Sequence, residues 1–260
     1  MMRHPFLPLC LAALLLTACA KSPQIPAVSA DPAAATALWH SYESASAPAA
    51  RPFRVQMSLR YGPEGDSRRV VALLWGNDAT QLRLDVMAGV GVTVAKIAEE
   101  GKHFLLYDPS QQKAYFHQGN QKPLLVLGVP VPLGIGDLSS LLQGQYTQVF
   151  GQSYNAAYTT KNGIAYSLDH QKLRGILSLN DQGLPVQWRE DGAHGWDMSI
   201  AYTDDTPPLP RRIEIQHPNG KRALILVKER DFPPKAFTPE NLKLILPEAT
   251  QLQPLKAATK

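Results

Sequence analysis

Few residues of this chain stand at spacings that catalysis would need. Gly151-Gln152-Ser153-Tyr154-Asn155 approaches the Gly-x-Ser-x-Gly turn that exposes a serine nucleophile, but its last position is asparagine and no strand-to-helix pattern surrounds it. Gly89-Val90-Gly91 and Gly134-Ile135-Gly136 lack the third glycine and the βαβ setting of a dinucleotide site. His103, His117, His170, His194 and His217 fall in separate segments, with no His-x-x-x-His spacing to hold a metal, and each reads as a solvated or hydrogen-bonded side chain. The acidic pairs Glu99-Glu100, Glu190-Asp191 and Asp204-Asp205 sit at strand ends, where charges usually face solvent. The expectation is a protein without enzymatic activity, metal or cofactor.

Cys19 is the residue with a chemistry of its own. Arg3 and His4 open the chain, and residues 5–18 are apolar apart from Thr17. A membrane span needs roughly 20 apolar residues, so this run is too short to cross a bilayer. A basic start, an apolar middle and a small-residue end describe a secretory signal peptide. Leu16-Thr17-Ala18-Cys19 resembles the bacterial lipobox, in which the cysteine is acylated, as with palmitate, and becomes the mature N-terminus. Several acyl chains anchor stably where a single one does not. Ala20 follows in place of the aspartate of an inner-membrane retention signal. The expected location is therefore the periplasmic face of the outer membrane. Cys10 lies inside the signal peptide, so the mature chain has no disulfide.

The elements behind these residues are mostly strands. Residues 19–36 are rich in Ala, Pro and Ser and read as a flexible tether, although Asp31-Pro32 also looks like a helix start with Ala37, Leu38, Trp39 and Tyr42 on one face. From residue 53 the period changes to two. Phe53, Val55, Met57, Leu59 and Tyr61 alternate with polar residues, as do Leu82, Leu84 and Val86, then Trp196, Met198, Ile200 and Tyr202. Short strands with turn signals every ten residues or so describe an antiparallel meander. Residues 121–146 are apolar without alternation and are cut by Pro and Gly. They predict short helical pieces, one capped by Asp137. "RRIEIQH" and "KRALILVKER" around Pro218-Asn219-Gly220 predict a hairpin. "FTPENLKLILPEA" reads as an added edge strand, and residues 247–260 as a flexible tail. The whole is a mainly β, α+β fold of about ten strands, curled because a sheet that large does not stay flat. Alternation places Val55, Met57, Leu59, Leu82, Leu84, Val86, Trp196, Met198 and Ile200 inward, lining either a packed core or a cavity.

The net charge of +4 is dispersed, with no long basic run, so nucleic acid is not an expected partner.

Three stretches in order, "LLWGNDATQLRLDVMAGVGVT" (73–93), "GVPVPLGIGDLSSLLQG" (128–144) and "GWDMSIAY" with "LPRRIEIQHPNGKRALILVKERDF" (195–232), resemble the LolB family of outer-membrane lipoproteins. The resemblance covers about residues 37–232. It implies a single domain over 37–246, an incomplete antiparallel β-barrel around an apolar cavity, with short helices as a lid. It further implies that the cavity binds the acyl chains of lipoproteins and that the protein helps insert them into the outer membrane. Acylated lipoproteins or other lipid cargo are the implied partners, along with a LolA-like periplasmic carrier, and the implied state is a monomer. The family's membrane-inserting loop aligns with Ala88–Val92, with Gly89, Val90 and Gly91 at its tip. Here Val90 and Gly89 replace a larger residue and a proline. A carrier of another lipid on the same fold, or a scaffold lipoprotein with a solid core, remain the alternatives.

Overall fold

The computed structural model describes residues 28–47, 50–63, 65–89, 91–119, 123–126, 131–161, 163–169, 173–192 and 195–255. Cys19, Val90, His170, His194, the signal peptide and the start of the tether lie outside them.

The chain begins with helix α1 (Pro32–Ala45). Strands β1 (Phe53–Pro63), β2 (Arg68–Gly76), β3 (Gln81–Ala88), β4 (Val92–Glu100), β5 (His103–Asp108) and β6 (Lys113–Gln118) follow as a meander. Three short helices interrupt it: α2 (Pro123–Val126), α3 (Ile135–Leu142) and α4 (Tyr146–Phe150). The sheet resumes with β7 (Ala156–Thr160), β8 (Gly163–Asp169), β9 (Arg174–Leu179), β10 (Pro185–Glu190), β11 (Asp197–Tyr202), β12 (Pro210–Gln216) and β13 (Lys221–Asp231). A turn of helix, α5 (Pro239–Leu242), and a last strand, β14 (Gln251–Pro254), end the described chain.

Among the described residues all the strands form one 14-stranded sheet in the order β14-β6-β5-β4-β3-β2-β1-β13-β12-β11-β10-β9-β8-β7. Two meanders are thus joined by β1 pairing with β13. The sheet has more strands than the expected ten or so; β7–β10 fall on segments that alternate in the sequence, and β14 comes from the tail that composition reads as flexible.

Cross-strand rows tie the alternation to the core. Val55, Leu74, Leu84, Ile97, Leu106 and Tyr115 stand opposite one another from β1 to β6. Tyr61, Ala223, Ile215, Met198, Trp188, Leu177, Tyr166 and Ala157 do the same from β1 to β7. Directly opposed residues share a face, so each row puts its apolar side chains on one inner surface. Helices α1, α3 and α4 pack on that surface.

The helix start at Asp31-Pro32 is as the residues indicate: the Ala34 N–H donates to the Asp31 carboxylate at 2.8 Å. The buried face is Ala35, Trp39 and Tyr42, while Ala37 is exposed. Asp137 is not the N-cap of α3. It sits in the first turn and accepts from the N–H of the capping Gly134 at 3.1 Å.

Two terminal segments expected to be flexible belong to the sheet. Val28–Ala30 lies against β7, with the Ala30 N–H donating to Ala157 O at 3.0 Å and the Thr159 N–H to Val28 O at 2.9 Å. At the other edge β14 pairs in parallel with β6. Both segments lack apolar runs, which is why composition reads them as loose. Edge pairing needs only backbone groups, and unpaired edges are a hazard that chain termini can cover. "FTPENLKLILPEA" adds no strand. It runs as a strap across the outer face.

Candidate functional site

The inner face is buried unevenly. At the end where β2 turns into β3, the helices seal it. Phe53, Val55, Leu74, Leu82, Leu133, Ile135, Leu141, Leu142, Tyr146 and Phe150 are almost fully buried there. α1 and α4 are locked by aromatic packing and by hydroxyls that reach carbonyls. Trp39 contacts Tyr42, Tyr154 and Tyr166 with ring centroids 4.6–4.9 Å apart. The Tyr42 hydroxyl donates to Gly151 O at 2.8 Å, and that of Tyr166 to Ala35 O at 2.9 Å. Buried hydroxyls find partners because leaving one unmade costs about 1–3 kcal/mol.

At the opposite end cover is partial: Val70, Ala72, Met198, Ile215 and Ala223 are buried, but several of their neighbours are not. Leu59 and Tyr61 on β1, Val86 on β3, Ala95 on β4 and Trp196 before β11 are half-buried apolar side chains against the core. The β3–β4 turn lies at this end. Gly89 and Gly91 have φ of +56° and +86°, the left-handed region that glycine enters without strain, and each has open space where a Cβ would be. Val92, the next residue, is 66% exposed. The tip, Val90, lies outside the described residues.

Of the residues expected to face inward, Val55, Met57, Leu82, Leu84, Met198 and Ile200 are buried and Leu59, Val86 and Trp196 half-buried. All nine belong to one apolar cluster. The structure brings them to one face of one sheet. Ile97, Leu106, Leu177, Trp188, Ile213, Ile215 and Ile225 join the same cluster. Their segments are apolar on both faces or briefly alternating, so period alone does not orient them.

One inward group is not apolar. Glu99 lies in the row Phe53, Gly76, Leu82, Glu99, Phe104, His117. Burial pushes its carboxyl up to about 7; the N–H of Gly136, which donates to it, opposes the rise, and Asp137 adds to it. Gly136 is fitted tightly: a Cβ there would stand 2.6 Å from the Ala79 carbonyl oxygen. The first turn of α3 is therefore seated on Glu99 and the β2–β3 turn. The residue pair Glu99-Glu100 reads as a solvated strand end, but Glu99 shares its alternation with Ile97, and that signal places it inward.

His103 and His117 stand on opposite faces of neighbouring strands, and His217 stacks edge-on against Trp196 with ring centroids 4.8 Å apart. Among the described residues no group of three His, Cys, Asp or Glu is placed to hold a metal ion.

No protein-family model matches the chain, and no curated protein sequence matches it. Solved structures do. A LolA superfamily protein from Nitrosomonas europaea is similar over 84% of this chain and 99% of that one, with a TM-score of 0.55 and 10% identity. A domain from Vibrio parahaemolyticus, described as an outer membrane lipoprotein-sorting protein, is similar over 79% of this chain and 94% of its own, with a TM-score of 0.52 and 8% identity. At such identities the likeness is one of fold: a large open antiparallel sheet with a few short helices on its inner face.

Proposed function

We propose that this protein is a lipid-anchored carrier at the periplasmic face of the outer membrane, which takes the acyl chains of lipoproteins against its inner face and helps pass them into the membrane, as the resemblance to LolB implies. The observation that supports it most is the half-buried apolar end of the inner face, at Leu59, Tyr61, Val86, Ala95 and Trp196. These side chains leave apolar surface on which an acyl chain could lie. The fold of the two neighbours agrees with a carrier.

In this reading no covalent step is needed. Each CH₂ moved from water to the inner face gains about 0.8 kcal/mol, and the bilayer offers about the same. Transfer is then nearly balanced and reversible, and direction comes from where the cargo is consumed. Acylated Cys19 would keep the carrier at the membrane. The β3–β4 turn, with Gly89 and Gly91 flanking Val90 and the exposed Val92 beside it, would be the part that meets the lipid. A second reading, a carrier of another lipid, is favoured by that same turn, because Val90 offers less apolar surface than the residue it replaces.

The test uses a secreted, unacylated form carrying Cys19→Ala. It is mixed with a triacylated lipoprotein, or with the same lipoprotein stripped of its acyl chains, and examined by native mass spectrometry. A 1:1 complex with the first and none with the second is expected. No complex with either, and no lipid carried through purification, would leave a scaffold with a solid core.

A further inference from the structure

The outer face of the sheet carries a groove that the reading above does not use. The strap from Phe237 to Leu246 crosses the outer face of β2–β5, and between it and β3–β6 lies a cavity of about 530 Å³. This is within the size range of sites that hold small apolar ligands, about 300–1,000 Å³. Its walls are apolar: Leu105 and Phe116 on the sheet, Leu242, Leu244 and Leu246 on the strap, and Leu252 on β14. Phe116 and Leu252 are 44% and 58% exposed and lie near each other on one face of the paired β6 and β14, so they extend the apolar patch.

The groove's polar residues are grouped. Gln81, Glu100, His103 and Gln118 form one cross-strand row at the end of the sheet, and Glu99 and His117 of the neighbouring inward row also line the groove. Lys243 faces them from the strap. The mouth thus offers a carboxylate and an ammonium together, next to an apolar trough. Both charges are exposed, with Glu240 near Lys243; a zwitterionic head complements the pair, whereas a purely anionic head would meet Glu100.

We propose that this groove, centred on the outer face, is a second lipid site that takes a single-chain zwitterionic lysophospholipid of the phosphatidylethanolamine type. The acyl chain lies along Leu105, Phe116 and the strap leucines. The phosphate meets Lys243, and the head-group ammonium meets Glu100. Gln81, His103 and Gln118 supply hydrogen bonds to the glycerol and phosphate oxygens.

The probe is lysophosphatidylethanolamine, titrated calorimetrically into the folded protein below its micelle concentration. One saturable site per chain is expected at the groove, beside any acyl-chain binding at the inner face. Phe116→Glu and Leu252→Glu should each weaken it by about tenfold or more, because each puts a charge against the buried chain. Both side chains are exposed, so the melting temperature should not move. Lys243→Glu should also weaken binding, and Leu59→Glu on the inner face should leave it intact. Absence of saturable binding overturns the proposal. So does binding that survives the outer-face changes and is lost with Leu59→Glu, which would place the chain on the inner face. Equal affinity for lysophosphatidylglycerol would overturn the zwitterionic assignment.

Discussion

Asn77 and Phe237, 160 residues apart, hold each other by a reciprocal pair of hydrogen bonds. The Asn77 amide donates to Phe237 O at 3.0 Å, and the Phe237 N–H donates to the Asn77 side-chain oxygen at 2.7 Å. Further along the strap, Arg83 donates to Lys243 O at 2.8 Å while pairing with Asp85 at 3.0 Å. The strap is therefore pinned through its backbone by outward side chains of the β2–β3 region. Its position decides whether the outer groove exists.

Removing the first pin tests this. Asn77→Ala should cost about 1–3 kcal/mol, since two part-buried backbone groups lose their partner. Hydrogen exchange should quicken across residues 237–244 and remain unchanged in β8–β12. Unchanged protection of the strap would mean that Asn77 does not hold it.

Glu99 gives a pH dependence with a definite sign. Its folded value of about 7 lies above the ordinary 4.5, so folding favours the protonated form. Its contribution is fully present below about 4.5 and is lost as the pH rises through about 7. Stability in urea should therefore decline between pH 5 and 8, by about 1–3 kcal/mol from this group. Asp137 and the Gly136 N–H are its polar neighbours, and both sit at the start of α3. Glu99→Gln should flatten the profile and raise stability at pH 8. A variant that keeps the wild-type slope would contradict the assignment.

Gly136 sets propensity against packing. Alanine is better than glycine inside a helix by about 1 kcal/mol. At this position the new Cβ would lie 2.6 Å from Ala79 O, so α3 must shift. Gly136→Ala should lower the melting temperature, whereas a helix-propensity effect alone would raise it.

Much of this arrangement was open to sequence reasoning, and the rest failed for identifiable reasons. Val55, Met57 and Leu59 alternate with polar residues, and period two alone orients them. Asp31-Pro32 marks the start of α1 by capping chemistry. Arg83 misleads: it lies on an outward position of β3 and reads as solvated, yet it is buried beneath the strap, with its guanidinium 5.4 Å from the Trp75 ring centre. Besides Asp85, its partner is a carbonyl 160 residues away, and no local pattern carries that. Val28–Ala30 and Gln251–Pro254 pair through backbone groups, which leave no trace in composition. The outer groove arises from the strap's path, which the spacing of Leu242, Leu244 and Leu246 does not reveal.

The tail's role at the edge of the sheet is equally testable. Ending the chain at Pro247 removes β14 and bares the backbone of β6. Light scattering after gel filtration should show association that the full chain lacks, because an open edge strand pairs with others. A monomer of unaltered melting temperature would show that β14 protects nothing.

The central claim is that acyl chains of a lipoprotein lie against the open end of the inner face. The most direct measurement places a photo-reactive benzoylphenylalanine at position 59 and, separately, at position 116, and irradiates each with a triacylated lipoprotein. The account predicts a cross-link to the cargo's acyl chain from position 59, none from position 116, and none from either once the chains are removed. Absence of a cross-link at 59, or one that persists with the stripped cargo, would contradict it.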